Sequence, residues 1–315
     1  MAVINGDYSL TQPSLVNDVS NQPSKVKSVN TPTKVADRIP IFASIVKEIV
    51  EKHFSTTIGQ IPNYQFYILM TIALESSWQV QFSWTHSSRG GYNPKYLSSI
   101  QNQPAVASFL RANPYDANAK LSIEDSVYAH SLGQVMGWYF IRGTNENKAT
   151  FGKKRPVVGE YGLEVEMGTR VTSLFPDNMT GVYRAIASCL IIYEEKYLMA
   201  MRNPITKAYS IPKGSKADAA KIALGLYCGS LTKPDSLGNT GNARISSILS
   251  GSTSSSASAV KQLASIGITI GYTSFTPVDL ANASLRTTKT MGSVGNTGQT
   301  TASTTTPPNN YAGCG

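Results

Sequence analysis

Cysteine and histidine are both scarce in this chain, with three of each in 315 residues. Cys189, Cys228 and Cys314 have neither the spacing of a metal site nor the even count of a disulfide framework. His53, His86 and His130 are scattered, so zinc is not expected, and nothing implies another cofactor. Long apolar runs are also missing. Stretches such as residues 187–193 are far shorter than the ~20 apolar residues of a membrane helix, so no span is expected. Residues 1–30 are polar and lack the apolar segment of a secretory leader. The expectation is that any access to a cell wall comes by another route. No internal repeat is visible.

What is present is an ordinary hydrophobic fraction, 41%, in a length that suits one large domain or two small ones. The net charge is +9, and residues 1–37 and 251–315 contribute 0 and +2 of it, leaving +7 in the middle. A basic globular region suits an anionic polymer such as cell-wall glycan or nucleic acid. The charges are dispersed, with Lys153-Lys154-Arg155 the tight cluster, and no recognised nucleic-acid motif occurs, so nucleic acid is not the expected partner.

Residues 1–37, rich in Asn, Ser, Pro, Thr and Val, read as an extended or disordered arm. From Pro40, Ile41, Ile45, Ile49 and His53 recur every four residues beside Phe42, Val46 and Val50, which predicts an amphipathic helix with a proline in its first turn. A second helix follows Pro62. Residues 81–119 read as a long loop with a short helix near Pro104 to Arg111. Its Trp84, His86, Tyr92 and Tyr96 are candidates for sugar stacking or for packing. Ser122, Glu124 and Asp125 read as a helix start, where acids favour the N-terminus.

Residues 140–158 read as a polar loop, and Leu163, Met167, Val171 and Leu174 have helical spacing over residues 161–175. A long helix is expected from Asn178 to about Met201, with Asn178 near the cap and Val182, Ile186, Leu190 and Tyr193 buried. Glu194 and Glu195, beside Lys196, read as solvated. From Gly251 the composition turns to Ser, Thr and Ala, then to Thr, Gly, Asn and Pro, which cannot build a core alone. Residues 251–315 therefore read as a C-terminal arm, with a short helix and strand within residues 260–270.

The stretch from Ile68 to Trp78 carries the chemistry. On a helix turning about 100° per residue, Tyr64, Ile68, Thr71, Ile72 and Trp78 all fall within about 60° of Glu75. A carboxylate then sits in the middle of an apolar stripe. Burying an ionised acid is costly and normally raises its pKa. A carboxylic acid still protonated near neutral pH is what glycosidic cleavage requires of a general acid. The alternative is a glutamate salt-bridged at the end of its helix.

Ala73-Leu74-Glu75-Ser76-Ser77-Trp78 resembles the catalytic-glutamate motif of soluble lytic transglycosylases and goose-type lysozymes. Three later segments follow in that family's order. Gly133-Gln134-Val135-Met136 is similar to its Gly-Leu-Met-Gln segment in rearranged order. The longer interval after Glu75 implies an insertion, placed in residues 81–119. The segment from Asn178 through Gly181 to Tyr183 is similar to the family's Asn…Gly…Tyr helix. Residues 223–229, with Tyr227-Cys228-Gly229, resemble its Ala-x-Tyr-Asn-x-Gly segment, but Cys228 replaces the asparagine and one residue is missing before Gly229.

The resemblance covers roughly residues 38–235. It implies a mainly α, lysozyme-like (transglycosylase-type) helical domain over residues 38–250, between polar arms at 1–37 and 251–315. It implies that Glu75 protonates the bridging oxygen between N-acetylmuramic acid and N-acetylglucosamine. The same carboxylate then takes the proton of the sugar's own 6-hydroxyl, closing an anhydro ring. Ser76, Gln134 and Tyr227 would bind the sugar. Were the product hydrolytic instead, Asp125 is the first candidate for a second acid. A reading from another class is a structural subunit of a phage tail or baseplate that keeps this fold with little or no activity. The arms, the polar N-terminus and the altered Tyr-Asn segment favour a virion component that meets neighbouring tail or baseplate proteins through its arms. The two readings are compatible in a tail-borne protein that opens the wall at entry.

Overall fold

The computed structural model describes residues 31–80, 100–142, 156–201, 216–227, 229, 231, 240–250 and 254–270. Among these residues the chain is mainly helical, with nine α-helices and one two-stranded β-hairpin. No described helix is long and apolar enough to cross a membrane. Trp84, His86, Tyr92, Tyr96, the Lys153-Lys154-Arg155 cluster, Cys228 and Cys314 lie outside the described residues.

Helix α1 (Val35–His53) buries Phe42, Ile45, Val46, Ile49 and Val50 completely. It begins at Val35, so Pro40 lies in its second turn rather than its first. Helix α2 (Tyr64–Ser76) is the centre of the molecule. It is surrounded by α1 and by three later helices, α6 (Met179–Met201), α7 (Lys216–Tyr227) and α9 (Ser254–Ser265). That is why α2 is buried on nearly every side and not along one stripe. It stops at Ser76, because Ser77 and Trp78 both take left-handed backbone with φ of 50° and 68°. Trp78 is thus off the helix. Its ring tilts against Phe42, and its indole N–H donates to Gln262 of α9 at 3.1 Å.

Helix α3 (Pro104–Ala112) packs on α4 (Ala117–Asp125). Ser122, Glu124 and Asp125 form the last turn of α4, not the first turn of a following helix. Strands β1 (Ala129–His130) and β2 (Val135–Met136) pair antiparallel around a turn at residues 131–134. Helix α5 (Pro156–Tyr161) follows. The helical spacing over residues 161–175 is misleading: Gly162 and Gly168 sit at φ 60° and 98°, and Val165 bridges Ile141. Leu163, Val171 and Leu174 are buried, but from this irregular segment and a 3₁₀ turn at Val171–Leu174.

Asn178 caps α6 as its position suggests, its side-chain oxygen accepting the Gly181 N–H at 3.1 Å. Val182, Ile186, Leu190 and Tyr193 are fully buried. Glu194 and Lys196 are buried as well, contrary to the solvated reading, since α6 is flanked by α1, α2, α5 and α7. Thr57 donates to Glu194 at 2.7 Å, and the Lys196 ammonium lies 3.4 Å from Glu195.

Helix α8 (Gly241–Ser250) leads into α9, which packs on α2 and α1. Ser256, Ala259 and Leu263 face inward at helical spacing, with Ile268 beyond them. The boundary expected at residue 250 therefore falls inside packed structure. Small residues let α9 lie close to its neighbours, and they are also what gives this segment the composition of a linker.

Candidate active site

Glu75 is the next-to-last residue of α2, and its side chain has no exposed surface. Both readings of it hold at once: it is a buried acid, and it is salt-bridged at the end of its helix. Its Oε1 accepts an N–H of Arg244, from α8. Two glycines bring that arginine into reach. A Cβ on Gly241 would stand 2.5 Å from the carbonyl oxygen of Gly225 in α7, and one on Gly225 would stand 2.8 Å from the carbonyl oxygen of Gly241. Bare backbones thus touch where α8 begins, and Arg244, on the next turn, extends to the end of α2.

Burial and ion pairing act on Glu75 in opposite directions. Loss of solvent raises the carboxyl, while the charge and hydrogen bond of Arg244 lower it. Burial is the larger effect and leaves the group at about 7. Near neutral pH such a carboxyl can both release and accept a proton.

Tyr227, the last residue of α7, is fully buried and donates its hydroxyl proton to the carbonyl oxygen of Gly133 at 2.7 Å. Cys189 of α6 lies beside it and is buried. A Cβ on Gly133 would meet the Tyr227 hydroxyl at 2.6 Å and the Cβ of Cys189 at 2.8 Å, so only glycine lets the hairpin turn close on these helices. Cys189 and Tyr227 both feel the charge of Glu75. Burial pushes the thiol up to about 12 and the phenol well above its usual range, so neither ionises around neutrality.

Gln134 is buried next to Gly133, with left-handed backbone at φ 45°, and Ser131 in the same turn has φ 62°. Each such non-glycine residue costs roughly 1–3 kcal/mol, strain that concentrates at functional sites. The turn is held from both sides. The Gln134 amide donates to the Ser131 carbonyl at 2.7 Å, and the Ser131 hydroxyl donates to the Val80 carbonyl at 2.6 Å. The second bond ties the hairpin to the chain leaving α2. Ser76, expected to bind sugar, is buried and donates to the Ile72 carbonyl of its own helix at 3.0 Å.

The structure thus gathers Glu75, Tyr227 and the turn carrying Gln134, which are far apart in sequence. Asp125 is not available as a second acid. Its two oxygens accept N–H groups of Arg170 at 2.6 and 2.9 Å, and the Val171 N–H at 3.1 Å, so it anchors the 3₁₀ turn. Arg244 is the participant that the sequence does not announce. Gly225 and Gly241 mark a close helix approach in retrospect, but nothing around Asn242-Ala243-Arg244 signals a partner for Glu75. Among the described residues no group of three His, Cys, Asp or Glu could hold a metal ion. Comparison with known proteins returns no match: no family model fits the chain, and no curated protein or solved structure is significantly similar to it.

Proposed function

We propose that this protein cleaves peptidoglycan glycan strands between N-acetylmuramic acid and N-acetylglucosamine, by a lytic transglycosylase-type mechanism on a lysozyme-like helical domain. The observation that carries the reading is Glu75. It is a wholly buried carboxyl held at about 7, in one cluster with Tyr227 and the Gly133-Gln134 turn. It protonates the glycosidic oxygen, and the sugar's 6-hydroxyl then attacks the anomeric carbon while returning its proton to Glu75. One carboxyl serves twice, so no second acid is needed, and Asp125 is engaged elsewhere. Gln134 and Tyr227 shape the sugar site. Clearing of wall embedded in a gel by the native protein, and its loss in Glu75→Gln, tests this reading.

A second reading draws on a specific observation. Glu75 is sealed from solvent and bound by Arg244, as a purely structural ion pair would be. On that reading the chain is a phage tail or baseplate subunit with little or no activity, joined to neighbouring virion proteins through its terminal arms. A native protein that forms rings or tubes and leaves peptidoglycan intact favours this alternative. A virion location, in tail or baseplate, fits both readings.

A further inference from the structure

The chain leaves α2 under strain. Ser77 and Trp78, the two residues after the helix, are consecutive non-glycines in left-handed backbone, at φ 50° and 68°. Such a pair is unfavourable and persists only where surrounding groups hold it, most often at functional sites. Three elements hold this one. Gln262 of α9 accepts the Trp78 indole N–H at 3.1 Å, and the Ser131 hydroxyl of the hairpin turn donates to the Val80 carbonyl at 2.6 Å. The third hold is on the bend itself. Nη1 of Arg38, in the first turn of α1, donates to the Trp78 carbonyl at 3.1 Å. Nε of Arg38 donates to the carbonyl of Pro32, whose neighbour Thr31 is tied through its N–H to the Asp177 carbonyl at 3.4 Å. Both acceptors are main-chain carbonyls, so the planar guanidinium fixes the direction of the backbone here and does not neutralise a carboxylate.

Glu75 stands just before this bend, in the last turn of α2, where helices fray most readily. Its side chain is wholly buried, and burial is what raises its carboxyl to about 7. Unwinding of that turn would carry the carboxyl toward water. We propose that Arg38 is a positioning residue for Glu75: its hold on the Trp78 carbonyl keeps the last turn of α2 wound and the acid in its buried place. The proposal rests on the glycan-cleaving reading of the site, and it adds a residue that acts through the backbone and not on the reacting atoms. The groups that face Glu75 from other helices are Arg244 of α8, Cys189 of α6 and Tyr227 of α7. Cys189 and Tyr227 do not ionise around neutrality, so a titration near pH 7 belongs to Glu75. Its direction of change is diagnostic. Loss of the Arg38 charge by itself would raise the Glu75 carboxyl, whereas loss of burial lowers it.

Carbon-13 NMR of the full-length protein, labelled at its glutamate carboxyls, follows Glu75 without relying on turnover, and Glu75→Gln identifies its signal. The Glu75 midpoint should fall from about 7 toward 4.5 in Arg38→Met, with part of the difference restored in Arg38→Lys. The pH profile of wall clearing should move the same way. A midpoint one pH unit lower leaves about tenfold less protonated acid at pH 8, so kcat should fall about tenfold there and far less at pH 5, with KM little changed. Thr57→Ala, which removes the distant bond to Glu194, is the control for lowered stability alone and should leave the midpoint where it is. An unchanged or raised midpoint in folded Arg38→Met overturns the proposal, and Glu75 can still be the acid. A native protein that clears no wall at any pH overturns the glycan reading, and the titration then judges the hold of Arg38 by itself. Hydrogen exchange of the wild type serves where Arg38→Met fails to fold. The Ser77 amide, bonded to the Ala73 carbonyl at 3.0 Å, should exchange within about tenfold of amides in the middle of α2. Exchange about a hundredfold faster or more would show a frayed turn and overturn the proposal.

Discussion

The Tyr227 hydroxyl and the Gly133 carbonyl, 2.7 Å apart, join the end of α7 to the hairpin turn beside Glu75. Tyr227→Phe keeps the ring and removes the donor, leaving a buried carbonyl without it. The expected loss of stability is about 1–3 kcal/mol, read from urea unfolding. An unchanged midpoint would mean that this bond does not hold the turn in place.

Gly241→Ala inserts a methyl group where the carbonyl oxygen of Gly225 lies 2.5 Å from the ideal Cβ position. Helices α7 and α8 must separate, at a cost of about 1–3 kcal/mol, and Arg244 is carried away from Glu75. Activity should fall more steeply than stability. A variant with wild-type melting and wild-type activity would show that the close approach is not what sets the Arg244 position.

The pH dependence of stability follows from the raised Glu75 carboxyl. Its ordinary value is 4.5 and its folded value about 7, so between these the folded state binds more protons than the unfolded one. This group's contribution is fully present below pH 4.5 and is lost as pH rises through about 7. Glutamine carries no such proton. Between about pH 5 and pH 8, wild type should lose about 2–3 kcal/mol relative to Glu75→Gln, as measured by urea unfolding at each pH. Parallel profiles for the two proteins would contradict a raised carboxyl.

Helix α9 covers α2 and holds Trp78 through Gln262. A chain of residues 31–270 should melt cooperatively, whereas one ending at residue 250 should lose cooperativity and expose Trp78 to solvent. Circular dichroism melts and tryptophan emission read both effects. Equal melts for the two chains would return residues 254–270 to the status of an arm.

How far the sequence could be read depends on the range of each interaction. Helices α1 and α6 were legible because their apolar spacing and the Asn178 cap are local signals. The burial of Glu75 was legible because a carboxylate stands among apolar neighbours, although α2 turned out to be enclosed nearly all round. Arg244 was not legible, since its meeting with Glu75 depends on the Gly225–Gly241 approach between separate helices. Only the second half of helix α9 was legible, because Ser256 and Ala259 line the inner face of its first half with residues typical of linkers. Residues 161–175 have a helical apolar period but no helix, because left-handed turns at Gly162 and Gly168 break the segment.

The most direct test of the central claim is mass spectrometry of purified sacculi digested with wild type and with folded Glu75→Gln. Wild type should release muropeptides with anhydro-muramyl ends, one water lighter than reducing ends. The variant should fall by more than the roughly 10²–10⁴-fold typical of general acid catalysis, because one carboxyl serves in both steps. Undiminished release of anhydro ends by Glu75→Gln, or intact sacculi with active-concentration wild type, would contradict the assignment of Glu75 as the acid that cleaves the glycan.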